Sequence, residues 1–304
     1  FGGAKILPLE SVIPSFADPA TSLFYLSIGG NDENTITPGV FSHNTQNQVN
    51  IVNSMSWNVG AHSLKFGGDY RRLAPTLGGR FFSNTLTVPS ITQLITGIVP
   101  SGTTSQIDRY LEPRYHNVSA FFQDAWRTSE RLTLTYGMRW EVNPAPTGDA
   151  NSLPLVVNNL ERPESASLAP AGTPLYDTTW ANFAPRVGVA YRVFRDRGTV
   201  IRAGFGVFYD LGYAFAGTAL SPTNYPFSRS RTVSNRAISD PIFLAEVGPL
   251  NLNPPYPRLF SFYEGFQLPY TLQYSFAVEQ PAPGAEVHEI DIEGHGQPFA
   301  RSAD

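Results

Sequence analysis

The chain has 304 residues, a formal net charge of -4 and no cysteine. The length allows a large core or one to two soluble domains. The missing cysteines exclude disulfide scaffolds and thiolate metal sites, and the mild acidity argues against a nucleic-acid binder, Arg71-Arg72 being the nearest thing to a basic cluster. Charged residues are only 15% of the chain, against roughly 25% in an ordinary soluble domain. Aromatics reach 13%, and Gly and Pro stand at 26 each, which suits an all-β chain with many loops and is too aromatic for a disordered one. No run of 18 apolar residues is present, so no transmembrane helix is expected. The chain begins at Phe1 without Met or a signal peptide, as a processed protein or an internal fragment would.

Period-two alternation bounded by Gly, Pro or Asn predicts the strands. Leu23 to Ile28 is the weakest. Gln48 to Val59 sets Val49, Ile51, Met55, Trp57 and Val59 against Asn50, Ser54, Ser56 and Asn58, with Val52 and Asn53 breaking the alternation. His62 to Arg72 sets Leu64, Phe66 and Tyr70 against Lys65, Asp69 and Arg71, and Tyr115 to Trp126 sets Val118, Ala120, Phe122 and Trp126 against Asn117, Ser119 and Gln123. The clearest segment is Arg131 to Glu141. Leu132, Leu134, Tyr136, Met138 and Trp140 lie on one face, with Arg131, Thr133, Thr135, Arg139 and Glu141 on the other. Phe183 to Val193 opposes Val187, Val189 and Tyr191 to Arg186, Gly188 and Arg192. Thr199 to Asp210 opposes Ile201, Ala203, Phe205, Val207 and Tyr209 to Arg202, Gly204 and Gly206. Tyr270 to Gln280 opposes Leu272, Tyr274, Phe276 and Val278 to Gln273, Ser275 and Glu279.

Short and long connections alternate. Gly60-Ala61, Arg127 to Glu130 and Phe194 to Gly198 are short; residues 73–114, 143–182 and 211–269 are long and rich in Pro, Gly, Ser, Thr and Asn. Compact soluble domains rarely carry several loops beyond about 12–15 residues. Transmembrane β-barrels do, with short periplasmic turns and longer extracellular loops. Arg131 to Glu141, at eleven residues, is about as long as a tilted membrane crossing requires. The aromatics Trp57, Trp126, Trp140 and Tyr209 lie near strand ends, where a membrane–water interface favours them. Lys65, Asp69, Arg71, Gln123, Arg139, Glu141, Arg186, Arg192 and Arg202 are the candidate lumen-facing residues. An open sheet edge is untenable in hydrocarbon, so eight strands with such loops read as part of a larger barrel.

Three stretches together resemble a known family. They are Phe121-Phe122-Gln123-Asp124-Ala125-Trp126-Arg127 running on to Tyr136-Gly137-Met138-Arg139-Trp140-Glu141, then Asn182-Phe183-Ala184-Pro185-Arg186-Val187-Gly188-Val189-Ala190-Tyr191, and then Gly198 to Asp210. The stretches His62 to Arg71 and Pro269 to Gln280 agree with them. The chain resembles the barrel of TonB-dependent outer-membrane receptors, closest to the Oar-like subgroup that carries a carboxypeptidase-regulatory-like domain, over Gln48 to Gln280. The resemblance implies an incomplete all-β antiparallel meander, with about 8 of about 22 barrel strands in this chain. It further implies outer-membrane localisation in a Gram-negative cell, lipid around the wall, and energised uptake of a scarce solute, peptide or glycan. Coupling to the TonB complex would pass through a plug and TonB box outside this sequence. No enzymatic activity and no cofactor are expected.

The remaining signals are weaker. His288, Glu289, Asp291, Glu293 and His295 have metal-ligand chemistry, but a solvated acidic tail is the favoured reading; residues 281–304 depart from the barrel pattern, as a frameshifted or truncated end or a charged strand would. No catalytic elbow, zinc-protease helix or phosphate loop is present. Gly204 and Gly206 suit either close approach by a plug or ligand, or sheet curvature. The loop aromatics Tyr213, Phe215, Tyr225, Phe227, Phe260, Phe262, Tyr263 and Phe266 suit either ligand capture or mutual packing as a lid. The rival architecture is a secreted or periplasmic β-sandwich binding protein of the carbohydrate-binding kind, in which the apolar faces pack two sheets together.

Overall fold

A computed structural model describes residues 8–29, 34–79, 81–149, 153–195, 198–210, 219–254, 256, 260–262, 266–280 and, for the backbone, 288–296. In chain order the elements are β1 (Ser22–Ile28), β2 (Thr35–Ile36), β3 (His43–Val59), β4 (His62–Gly78), β5 (Phe82–Val88), α1 (Ile91–Ile95), β6 (Ile98–Ile107), β7 (Tyr115–Arg127) and β8 (Leu132–Val142). There follow β9 (Val157–Asn158), β10 (Ser167–Leu168), β11 (Asn182–Arg192), β12 (Val200–Tyr209), β13 (Ser228–Ala237), β14 (Tyr270–Gln280) and β15 (His288–Gly296).

Two sheets dominate. The larger has eight strands in the order β15-β14-β12-β11-β8-β7-β4-β3, every pair antiparallel. This is the predicted meander as an open wall: among the described residues β3 and β15 do not pair with each other. Its hairpin turns are tight because the chemistry allows it. Gly60 adopts φ +58 in the two-residue β3–β4 turn, a conformation that glycine takes without strain. In the β7–β8 turn the Ser129 hydroxyl accepts from the Arg131 and Leu132 amides.

The apolar faces of the wall are exposed. Met55, Trp57, Phe66, Phe122, Met138, Val187, Phe205 and Phe276 all open outward instead of packing against a second sheet. A sandwich buries its two apolar faces on each other. The sandwich reading is therefore incorrect for this chain, whose apolar face is not covered by a second sheet among the described residues.

Several expectations are corrected. Leu23 to Ile28 is a strand but not a wall strand: β1 runs parallel to β5 and antiparallel to β2. It belongs to a five-stranded sheet of order β13-β6-β5-β1-β2. Its place in the wall is taken by β15, which pairs with β14 from Gln280↔His288 to Leu272↔Gly296. Val52 and Asn53 do not interrupt β3; the register runs through them without a bulge, as Val52↔Asp69 and Asn53↔Gly68. Strand β4 continues to Gly78, past Pro75, because its pairing with β7 ends at Leu73 and the imide nitrogen owes no bond there; Leu77 beyond it bridges to Leu111.

Apart from β1, the five-stranded sheet is built from segments that the sequence presents as connections. Strands β5 and β6 come from the β4–β7 connection, and β13 from the β12–β14 connection. Their core is Leu26, Leu86, Val88, Val99 and Phe243, with Phe24, Ile28, Leu94, Val233 and Ile242 against it. Buried polar groups are satisfied inside: Asn84 donates to the Phe243 carbonyl at 2.7 Å and accepts from the Thr104 hydroxyl at 2.8 Å. A second cluster of Tyr115, Leu153 and Leu220, with Leu73, Leu77 and Phe262, joins the connections to the end of the wall.

Candidate functional site

Directly paired residues in a sheet point to the same face. The register therefore sorts the polar side of the wall into rows. One row is Lys65↔Gln123↔Gly137↔Arg186, crossing β4, β7, β8 and β11, and then Gly206↔Gln273. Lys65, Gln123, Thr135, Gly137, Arg139 and Arg186 line one hollow of about 370 Å³. Asp69, Arg71, Asn117, Arg139, Glu141 and Tyr209 line a neighbouring hollow of about 220 Å³. Arg139 belongs to both.

Charge within these rows is unevenly paired. The Arg139 guanidinium donates to Glu141 at 2.5 Å and stands 4.0 Å from Asp69. Arg202 is ion-paired with Glu279. Arg186 lies 4.3 Å over the Phe208 ring, a cation–π contact. Gly206 makes that stack possible: a Cβ there would stand 2.9 Å from Phe208 and 3.4 Å from the Arg186 stem. Side-chain packing inside the wall thus explains Gly206. Gly204 is less constrained, with the Ser275 hydroxyl oxygen 3.1 Å from its Cβ position.

The structure brings Lys65, Gln123, Arg139 and Arg186 together, and Asp69, Arg71 and Glu141 beside them. Arg192 and Arg202 stand apart, Arg192 at the short-turn end, where its amide donates to the Arg131 carbonyl at 2.8 Å. Among the aromatics, Trp57 and Trp126 are exposed on the apolar face. Trp140 donates its indole N–H to the Trp180 carbonyl at 2.7 Å. Tyr209, the last residue of β12, lines the hollow that holds Asp69, Arg71 and Glu141.

Two features lay outside the sequence reading. Asp124 is 2% exposed although it sits at an apolar-face position of β7. Its Oδ2 accepts from the Tyr136 hydroxyl and meets His62 Nδ1, both at 2.7 Å. An acid in phase with Val118, Ala120, Phe122 and Trp126 was the available signal. The other is an apolar cavity of about 890 Å³ against the five-stranded sheet, lined by Phe24, Leu26, Ile36, Leu86, Ile238 and Phe243 among others; apart from Phe24 and Leu26, these residues lie in segments that the sequence presents as connections.

Of the loop aromatics, Phe227 is buried and Tyr225 donates to the Asn251 carbonyl at 2.8 Å. Phe262 and Phe266 form a three-ring cluster with Tyr176, with centroids 5.1–5.3 Å apart. Mutual packing describes these rings. Tyr213, Phe215 and Tyr263 lie outside the described residues, as do the side chains of His288 to His295. Among the described residues no group of His, Asp or Glu is arranged to hold a metal, and no helix is long and apolar enough to cross a membrane.

Comparisons with known proteins follow this geometry. No curated protein matches the sequence. Among solved structures, the copper transporter OprC is similar with 16% identity and a TM-score of 0.41, over 79% of this chain and 28% of its own. The outer membrane transporter YddB from Escherichia coli is similar with 14% identity and a TM-score of 0.43, over 86% of this chain and 27% of its own. The chain thus spans little more than a quarter of either. Residues 7–292 match the family described as the outer membrane beta barrel domain, and the chain belongs to that family, a protein of the outer membrane.

Proposed function

We propose that this chain is part of the barrel wall of a TonB-dependent outer-membrane receptor of the Oar-like kind, which takes up a scarce solute by energised transport. The observation that carries the reading is the two-sidedness of the wall. A mostly apolar face runs along one side, while Lys65, Asp69, Arg71, Arg139, Glu141, Arg186 and Arg202 stand on the other. A wet, charged inner wall suits passage of a polar solute. The order of the quoted motifs from His62 to Gln280 supports the TonB-dependent receptor class over a passive pore. The partners are then outer-membrane lipid, the TonB complex acting through a plug, and a solute, peptide or glycan captured by the long connections.

Uptake tests the proposal. Cells carrying the full-length gene are expected to accumulate the solute, and to lose that accumulation both when TonB is deleted and when a protonophore collapses the inner-membrane gradient. Accumulation that survives both treatments would make the protein a passive channel and overturn the energised reading.

A further inference from the structure

We infer that the hollow floored by Gly137 on the charged wall binds a small multivalent oxyanion of the phosphate or carboxylate class. The inference rests on the charged face being the lumen, and it names a ligand chemistry for that face. Lys65, Gln123, Gly137 and Arg186 are successive partners in one row. At about 4.8 Å per strand, the backbones of Lys65 and Arg186 stand roughly 14 Å apart. Both line the hollow, Lys65 at its β4 end and Arg186 at its β11 end, where the guanidinium stacks on Phe208.

Gly137 keeps the floor between them low, with the Phe121 ring also lining the hollow. A Cβ on Gly137 would come within 2.6 Å of the Phe122 carbonyl oxygen and 3.2 Å of the Gln123 Cα. Backbone sits in that place, so no side chain is tolerated there without movement. Gly188, which pairs with Thr135, keeps the adjoining floor low. Thr135 and Arg139 flank Gly137 two residues away on either side, on the same face. The open hollow, of about 370 Å³, takes an ion of several oxygens together with some of its water.

The charges favour an anion. Arg139 is already engaged by Glu141 and Asp69. Among the described residues, no carboxylate stands within ion-pair distance of Lys65 or Arg186. Phe208 covers the flat face of the Arg186 guanidinium and leaves its N–H edge for the ligand. A guanidinium presented edge-on is suited to bidentate bonds with carboxylate or phosphate oxygens. The Gln123 amide and Thr135 hydroxyl supply neutral donors beside it. A cation would meet two positive groups here, and an apolar ligand would strand their donors.

The test is isothermal titration of the full-length protein in detergent with inorganic pyrophosphate, and separately with citrate, at low salt. Binding of either is expected, weakened about tenfold or more in Lys65→Met/Arg186→Met. The control Arg127→Met/Arg195→Met removes the same formal charge near the short turns and is expected to retain affinity. Folding of each variant is checked by the mobility shift between unheated and boiled samples on a denaturing gel. No binding of either ion by the unaltered protein overturns the inference, as does an equal loss in the control pair. Since titration needs no energy source, loss of TonB-dependent uptake with binding intact would sink the transport proposal alone.

Discussion

At the scale of single residues, Asp124 shows how a membrane wall keeps an acid on its apolar side. A carboxylate withdrawn from water is costly unless charged or polar donors replace the lost hydration. Tyr136 and His62 do so, each reaching Oδ2 at 2.7 Å. Trp126 stacks on His62 with ring centroids 5.3 Å apart and planes 10° from parallel, which holds the imidazole against the acid. The cluster lies just past the Gly60-Ala61 turn, where polar headgroups begin. Asp124→Ala should lower the thermal midpoint of the detergent-folded protein, because His62 and Tyr136 both lose their acceptor; Tyr136→Phe should lower it less, since one donor remains. If the three act as a unit, His62→Ala added to Asp124→Ala costs little more than Asp124→Ala alone. Additive losses in the thermal melts would show instead that the residues contribute separately.

At the scale of elements, the five-stranded sheet is a small folded body carried by the wall's connections, and Phe243 is its keystone. Phe243 is 4% exposed among Leu26, Leu86, Val88 and Val99. Gly102 makes room for it: a Cβ there would stand 2.4 Å from the Phe243 ring. Arg231 holds the following turn by donating to the carbonyls of Ile242, Ala245 and Glu246. Phe243→Ala should cost this body about 3–5 kcal/mol, as truncation of a buried aromatic does. Limited proteolysis should then cut near residues 82–107 and 228–237 while the gel-mobility shift of the wall persists; loss of both together would mean that sheet and wall fold as one unit. The wall strands were legible in sequence because lipid on one side and water on the other force contrast between alternate residues. Strands β5, β6 and β13 lack that contrast. Phe82-Ser83-Asn84-Thr85-Leu86-Thr87-Val88 mixes hydroxyls and aliphatics, and its polar groups are satisfied by partners far along the chain, such as Asn84 with the Phe243 carbonyl. The apolar run of β1 looked like a wall strand because alternation does not say which sheet a strand joins. For the same reason Lys65 and Arg186 were legible as charged-face residues, while their meeting over Gly137 was not: it depends on register across four strands, which spacing along one strand does not fix.

At the scale of the whole molecule, every short turn of the wall lies at one end and every long connection at the other. The five-stranded sheet, the Tyr176–Phe262–Phe266 cluster and the Tyr115–Leu153–Leu220 core all belong to the long-connection end. If the short turns are periplasmic, all this folded mass lies outside the cell, and Arg131 sits near the periplasm with Glu141 toward the exterior. The orientation is simple to measure, because these 304 residues contain no cysteine and a thiol introduced among them is the only one there. Glu130, in the β7–β8 turn, and Asp177, in the β8–β11 connection, are both exposed, so cysteine at either site reaches solvent without disturbing the wall. A maleimide too large to cross the outer membrane should label Asp177→Cys in intact cells and Glu130→Cys only after lysis. The opposite pattern would invert the barrel, and would place the five-stranded sheet in the periplasm, where it could not meet a solute arriving from outside. Equal labelling in intact cells would mean that the wall does not span the membrane. The open edges make the orientation testable only in the complete protein: all seventeen residues of β3 are exposed, and its outward backbone groups find no partner within the described sheet. Each such group costs several kcal/mol in hydrocarbon, so the eight strands span a bilayer only when further strands close the wall.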